Sequence, residues 1–405
     1  MTSLLPWSLF AAMIASAGLP IYIHAPKFYV DEYGVSLTAL GLVLFGLRLL
    51  DVVQDPALGW LAEKGRDFRA AMVAFGGMMM AIAMVALFAI PPLLPPLWWF
   101  ALCLTALFSG FSLLTICFYA QGVAKAKALP NGHLRLASWR ESGSLVGIAL
   151  AAAAPTVLAL VSDRPFAAFA FGFAALVLLA VWAMRCEWGQ VQLTPAPSAF
   201  AILGDRKTQG LLTLALVNAA PVAVTSTLFL FFVESRLEAP GLEGPLLLLF
   251  FLSAALTAPF WAYLAQRIGQ RRALMAGMAL AVISFGFALG LRAGDTVAFA
   301  LICAASGAAL AADMVLLPAV FARHLAENGG EAMGFGLWSF ASKLMLAVAA
   351  VTVFPLLQMR GYVSGPINSQ DALQMLTLLY AGLPCALKLL AMALLARTDI
   401  PEAAR

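Results

Sequence analysis

Long apolar runs separated by short polar breaks make up almost the whole of this 405-residue chain. A helix needs about 20 apolar residues to cross the hydrocarbon core of a bilayer, and cutting the chain at its charged, Pro-rich and Gly-rich breaks leaves twelve segments of that order. They run 4–30, 37–62, 70–91, 97–123, 134–160, 166–184, 208–234, 244–265, 273–292, 296–322, 332–358 and 371–396. Typical breaks are Glu63-Lys64-Gly65-Arg66-Asp67, Ser162-Asp163-Arg164-Pro165 and Gln266-Arg267-Ile268-Gly269-Gln270-Arg271-Arg272. The one longer link, 185–207, follows the sixth segment. The pattern therefore predicts an all-α membrane protein of twelve transmembrane helices in two bundles of six, 1–184 and 208–405. No Ala-x-Ala cleavage site follows the first apolar run, so 4–30 is expected to stay as a membrane span.

Composition agrees: 63% of residues are hydrophobic and 11% charged, with a mean hydropathy of +0.94. Soluble domains carry about 25% charged residues, which excludes a water-soluble enzyme or nucleic-acid binder. The net charge of +4 forms no Lys/Arg-rich block that would grip phosphate, and its distribution sets orientation instead, because Lys and Arg are retained on the cytoplasmic side. With both termini inside, the cytoplasmic connections hold Lys64, Arg66, Arg69, Lys125, Lys127, Arg135, Arg185, Arg206, Lys207, Arg267, Arg271, Arg272, Arg323, Arg397 and Arg405. The other side holds only Lys27, Arg164, Arg236, Arg292 and Arg360. The five cysteines show no metal-ligand or redox spacing and read as small buried hydrophobes.

The informative residues are charges inside the apolar runs: Arg48, Arg140, Lys343 and Lys388, balanced by Asp51, Asp55, Glu141 and Asp313. Each costs roughly 2.5–3.5 kcal/mol at a helix centre, so such groups face cavities and pair with one another. In segment 37–62, spacings of three and four put Arg48, Asp51 and Asp55 on one helix face. Two carboxylates one turn apart in low dielectric require a cation, a proton or a basic partner. Hard cations favour oxygen ligands, and Thr105, Ser109, Ser112, Thr115 and Tyr119 form a hydroxyl stripe along segment 97–123 that could add them or serve as a helix–helix contact.

Lys343 is too far from either end of its segment to reach water, and with Asp51 and Asp55 it is the strongest candidate for coupling. Asp313 is a candidate gate, solute contact or structural partner. Tyr22, Tyr119, Arg140, Glu141, Asn218, Trp338 and Ser339 are candidate cavity residues. Arg140 could instead snorkel to the surface, Glu141 could pair with Arg135 or Arg140, and Lys388 is expected to be a snorkelling anchor. His24 is expected at the surface or as a proton group, and Gly18, Pro20, Pro26 and Pro221 are hinge candidates.

Two stretches carry a family resemblance. Tyr29-Val-Asp31-Glu-Tyr-Gly34-Val-Ser36-Leu-Thr-Ala-Leu-Gly41, followed by Arg48-Leu-Leu-Asp51-Val-Val-Gln-Asp55-Pro56-Ala-Leu-Gly59-Trp60, resembles the melibiose permease type of glycoside, pentoside and hexuronide cation symporter. Trp139-Arg140-Glu141-Ser142-Gly143-Ser144-Leu145 and Gly334-Phe-Gly336-Leu-Trp338-Ser339-Phe-Ala-Ser-Lys343 extend the resemblance into both halves. It implies a major facilitator fold in which Asp51 and Asp55 hold the coupling cation, assisted by Ser112, with Lys343 beside them; Thr115, on the hydroxyl stripe, and Arg48, on the face of the two acids, are added from the residues themselves as a further cation ligand and a charge partner. The sugar-binding acids of that family fall at Ala15 and Thr115 here, so the resemblance carries the cation site and leaves the solute open.

The sequence thus predicts a secondary transporter that couples a sodium ion or proton to a small solute by alternating access. It has no resident cofactor and no catalytic residues, since His24, His133 and His324 are scattered at helix ends and loops. Its expected partners are the solute and the lipid bilayer, as a monomer, in the plasma (inner) membrane if the source is bacterial. The alternatives are a proton-driven exporter or lysolipid and amphipath transporter and, more remotely, a non-transporting membrane enzyme or assembly factor.

Overall fold

The computed structural model describes residues 4–130, 132–188, 204–362 and 368–398. Most of the predicted link, 189–203, lies outside them, as do the side chains of Tyr22 and Arg48. The described residues are helical, with no strand among them. In chain order the helices are α1 (Leu5–Ser16), α2 (Leu19–Tyr33), α3 (Leu37–Lys64), α4 (Arg69–Phe88), α5 (Pro96–Lys127), α6 (Gly132–Leu158) and α7 (Pro165–Met184). Then come α8 (Arg206–Phe231), α9 (Glu243–Ile268), α10 (Gln270–Ala288), α11 (Thr296–Asn328), α12 (Glu331–Gln358), α13 (Gln370–Thr377) and α14 (Leu383–Arg397).

Among the described residues, nine helices are long and apolar enough to cross a membrane. The expected segments outside that count are helical too. Segment 4–30 is divided into α1 and α2 at Ala17 and Gly18, where Pro20 cannot donate to the Ser16 carbonyl. The other two, α3 and α6, carry Asp51, Asp55, Arg140 and Glu141. Large apolar side chains on the helix surfaces, such as Val53 of α3 at 74% and Leu256 of α9 at 72% exposed, exceed what a water-facing surface tolerates and suit lipid.

The chain divides into two compact units. The first holds residues 1–202 together with 322–340, and the second holds 203–321 and 341–405. The core of the first is aromatic, with Trp7 stacked on Phe118 at 5.1 Å between centroids and Phe10 packed on the same ring at 5.0 Å. Buried polar tips find backbone acceptors: Tyr29 donates to the Leu87 carbonyl at 3.1 Å and Trp99 Nε1 to that of Ala86 at 2.9 Å. Small residues let backbones meet where α1 crosses α6. A Cβ on Gly143 would stand 2.2 Å from the Ser8 carbonyl oxygen, and one on Gly147 would stand 2.2 Å from that of Ala12, the Gly-xxx-Gly spacing that permits close helix packing.

A charged cluster ties 322–340 into the first unit. Glu63 accepts the backbone N–H of Ala332 at 3.1 Å, placing a carboxylate at the positive N-terminal end of α12. Nearby, Arg69 donates to Gln121 at 2.9 Å, Gln121 donates to the Glu187 carbonyl at 2.7 Å, and Lys125 pairs with Glu187 at 2.7 Å. His133, just ahead of segment 134–160, has a buried Nδ1 with no hydrogen-bond partner among the described residues. Burial pushes its imidazole down to about 4, and Arg323, Lys127 and Arg140 push the same way.

In the second unit, Phe232 stacks on Tyr380 at 4.1 Å with Phe299 beside them, and Trp261 Nε1 donates to the Ala308 carbonyl at 2.7 Å. A Cβ on Gly307 would lie 2.2 Å from the Phe250 carbonyl oxygen, so α9 and α11 also meet backbone to backbone. Between α13 and α14 the helix widens into a π turn over Leu378–Gly382.

Gly147→Val must push α1 off α6. Overpacking of this kind costs about 1–3 kcal/mol, to be read as a lower melting temperature of the purified protein, while Gly172→Val, with open space at its Cβ position, leaves it nearly unchanged. His133 is neutral in the fold, while the unfolded chain takes up the proton near 6.5. Its contribution to stability is therefore present above that pH and is lost as pH falls from about 6.5 to about 4. His133→Asn should flatten this part of the stability profile measured by thermal unfolding.

Candidate functional site

The first unit brings several of the candidate residues together. Asp51 and Asp55 are 3% and 0% exposed and lie one turn apart on α3. Gln54 Nε2 donates to Asp51 Oδ1 at 2.8 Å, and Ser109 of α5 donates to Gln54 Oε1 at 2.9 Å. Ser339 of α12 donates to Asp55 Oδ2. Each acid is thus tied to a neighbouring helix, one through an amide and one directly.

The local sequence explains the geometry. Pro56 cannot donate within α3, which leaves the Val52 carbonyl, an oxygen between the two acids, without its helical partner. Gly59 and Gly336 let α3 and the first half of α12 touch: a Cβ on Gly336 would lie 3.0 Å from the Asp55 carbonyl oxygen and 3.1 Å from the Gly59 Cα. That contact sets Ser339, one turn further along, against Asp55. On α5, Ser112 is buried and Thr115 half-buried, and the Thr115 hydroxyl donates to the Phe111 carbonyl at 2.7 Å. With its hydrogen engaged, it can offer only lone pairs to a ligand.

A second cluster in this unit joins Tyr119, Arg140 and Glu141. Tyr119 donates to Glu141 Oε1 at 2.9 Å, Arg140 Nε donates to the same oxygen at 2.7 Å, and the guanidinium lies 3.6 Å from the centre of the Tyr119 ring. Arg140 is only 4% exposed, so the snorkelling alternative is set aside: its charge is balanced by Glu141 and by the ring face. Of the two partners weighed for Glu141, the structure selects Arg140. Phe335 packs on Tyr119 at 4.9 Å. His24 is not a surface residue; it is half-buried, with Nε2 3.0 Å from the Ala152 carbonyl oxygen.

The second unit holds a third charged cluster, and here the sequence reading needs correction. Lys388 is not a snorkelling anchor. It is 3% exposed, pairs with Asp313 Oδ2, and donates to Asn218 Oδ1 at 2.7 Å. Nine residues separate it from Arg397 at the end of α14, further than its side chain can reach. Asp313 and Asn218, 7% and 6% exposed, meet it from α11 and α8. The signal was present in the sequence, because an acid as deep as Asp313 needs a basic partner. Gln54 was missed for another reason: an amide between two acids carries no charge to draw notice.

Trp338 is half-buried in the first unit, and Lys343 is half-buried in the second. Tyr22 and Arg48, whose side chains are not described, cannot be added to either cluster. No group of three or more His, Cys, Asp or Glu residues able to hold a metal occurs among the described residues, so a cation at Asp51 and Asp55 would draw on hydroxyl, amide and backbone oxygens as well.

Known proteins place the chain. Its fold is similar to that of a bacterial homologue of the iron transporter ferroportin in an outward-facing state, with a TM-score of 0.69, 14% identity, and coverage of 98% of this chain and 99% of that one. The human organic anion transporter MFSD10 gives 0.66 at 16% identity, over 97% and 98% of the two chains. The Escherichia coli fucose:proton symporter gives 0.67 at 13%, over 98% of each. No curated protein matches the sequence. At these identities the structures show a shared fold alone, that of the major facilitator transporters. Residues 8–402 match the family model described as MFS/sugar transport protein, and the chain therefore belongs to that family of multi-pass membrane transporters, within which the melibiose permease type of symporter falls.

Proposed function

We propose that this transporter is a cation-coupled symporter of a small solute, with Asp51 and Asp55 holding the coupling cation. The observation that carries the reading is the buried acid pair itself. Two carboxylates one turn apart, at most 3% exposed, are costly in low dielectric unless a cation or proton joins them. Gln54 and Ser339 set oxygens of the kind a hard cation takes against the pair, Pro56 frees the Val52 carbonyl between them, and Ser112 and Thr115, on the helix whose Ser109 joins Gln54, are assigned as further ligands. Sodium or lithium would bridge the pair, and a proton would neutralise one member. Arg48, one turn before Asp51 in the sequence of α3, is the basic group that would take the place of the cation as the site empties.

In this reading the solute binds near Tyr119, Arg140, Glu141 and Trp338 of the first unit. Alternating access would proceed with both chain termini cytoplasmic. The family description and the fucose:proton symporter among the similar folds support coupled uptake of a small polar solute; the organic anion transporter shows that the same fold also serves anions.

The test needs no knowledge of the solute. Sodium at a hundredfold excess over its dissociation constant should stabilise the purified protein by about 2.7 kcal/mol, read as a rise in melting temperature over choline at equal ionic strength. Asp51→Asn and Asp55→Asn should each abolish the rise. If the coupling ion is a proton, sodium has no effect, and a pH-dependent melting temperature is lost in the same two variants instead. Variants that keep the native response to sodium, lithium and pH would refute the assignment. Ser339→Ala removes a hydrogen bond to a charged group, worth about 1.5–3 kcal/mol. It should weaken apparent sodium affinity by about tenfold or more, measured by the same titration.

A further inference from the structure

The cluster in the second unit does something the acid pair of the first cannot. A cavity with room of about 50 Å³ adjoins Asp313 and Lys388, enough for a few water molecules or a small ionic head group. Its polar rim consists of those two side chains with Thr225, Ser226, Ser306 and Cys385. Asp313 is nine-tenths buried, yet it uses only one carboxylate oxygen: Oδ2 pairs with Lys388, and Oδ1 has no donor among the described residues. Lys388 is held from behind by Asn218 at 2.7 Å. The hydroxyls already spend their hydrogens, Thr225 on the Pro221 carbonyl at 3.0 Å and Ser306 on that of Cys303 at 3.3 Å.

Missing helical hydrogen bonds surround this arrangement. Pro221 lies inside α8, Pro318 lies inside α11 one turn and a residue beyond Asp313, and the π turn at Leu378–Gly382 leads into Pro384, just before Cys385 and one turn before Lys388; neither inner proline can donate within its helix. π turns and prolines inside membrane helices persist where a cavity or neighbour satisfies the displaced groups.

The charges facing the cavity are few. α8 contributes Thr225 and Ser226; α9 and α10 contribute apolar side chains; α11 contributes Asp313 and Ser306; and α14 contributes Lys388 and Cys385, whose thiol donates to the Val282 carbonyl at 3.5 Å. Among the described residues lining it, Lys388 is therefore the cation and Asp313 the carboxylate.

We propose that this cavity is a binding site for a carboxylate anion, and that the anion enters together with a proton. The anion takes the place of Asp313 on the ammonium of Lys388, which stays anchored to Asn218. Asp313, deprived of its counter-charge in a low-dielectric pocket, binds a proton on its free oxygen, and the new O–H finds the spare lone pairs of Thr225 or Ser306. The balance is closed: one positive and one negative charge before, and one of each afterwards, with a neutral acid beside them. Anion and proton thus bind as an electroneutral pair, a linkage located wholly in the second unit and independent of the cation site at Asp51 and Asp55.

The experiment uses the full chain carrying Asp51→Asn and Asp55→Asn, so that the first site is silent, purified in weakly buffered detergent and titrated with sodium acetate against sodium chloride at equal ionic strength. Acetate should raise the melting temperature and draw protons from solution, and its apparent affinity should rise about tenfold for each unit by which pH falls. Adding Asp313→Asn should leave acetate binding in place but abolish proton uptake and the pH dependence. Adding Lys388→Gln should abolish the acetate response. Because Lys388→Gln alone leaves a buried acid unpaired, the neutral combination Asp313→Asn with Lys388→Gln is measured too, and it should fold without responding to acetate. The proposal is overturned if acetate has no effect beyond that of chloride, if it binds without proton uptake while Asp313 is intact, or if the response survives loss of Lys388. In each of those cases Asp313 and Lys388 are a structural ion pair only.

Discussion

Everything distinctive about this protein follows from the cost of placing charge where water cannot reach it. An ionised side chain in a bilayer-spanning helix must find an opposite charge, a dipole or a ligand, and each buried charge that the structure describes in full has done so within its own unit. Arg140 lies between Glu141 and the face of Tyr119. Lys388 lies between Asp313 and Asn218. Asp51 and Asp55 are held through Gln54 and Ser339. The helices that supply these partners are thereby fixed in rotation, because turning α3, α6 or α14 by one residue would strand a charge against lipid.

Backbone proximity is the means by which partners are delivered. Side chains as short as serine can meet a carboxylate on another helix only if the two axes are close, and that requires glycine at the crossing. Gly59 and Gly336 do this for Asp55 and Ser339. The same economy recurs where Gly307 meets the Phe250 backbone, close to the cavity beside Asp313. Prolines act in the opposite sense, freeing carbonyl oxygens at the depth where ligands must be held.

The helices, their approximate ends and the unusual charges could all be read from the sequence, since apolar run length and intramembrane Lys, Arg, Asp and Glu are local properties. The pairing of those charges could not, because it depends on which faces of distant helices meet. Lys388 shows the difference. Judged by its own helix it looked like an anchor reaching for the surface, and only the approach of α8 and α11 shows it to be one corner of a buried triad. Arg140 and Glu141 were legible as partners because they are adjacent in sequence, whereas the link from Asp51 through Gln54 to Ser109 runs through a neutral amide that no charge count would select. The division of α12, whose first residues cluster with the first unit, likewise depends on the tertiary bond from Glu63 and has no counterpart in the apolar pattern.

The seam between α1 and α6 has a mechanical meaning. With Ser8 and Ala12 in backbone contact with Gly143 and Gly147, little side-chain volume stands at these crossings, and sliding one helix past the other would drive backbone into backbone. Compliance in the first unit is then displaced to the next soft joint along the chain, at Ala17 and Gly18, where hydrogen bonding between α1 and α2 is interrupted. Whatever α2 does during a transport cycle, it can do as a lever pivoting on a fixed post.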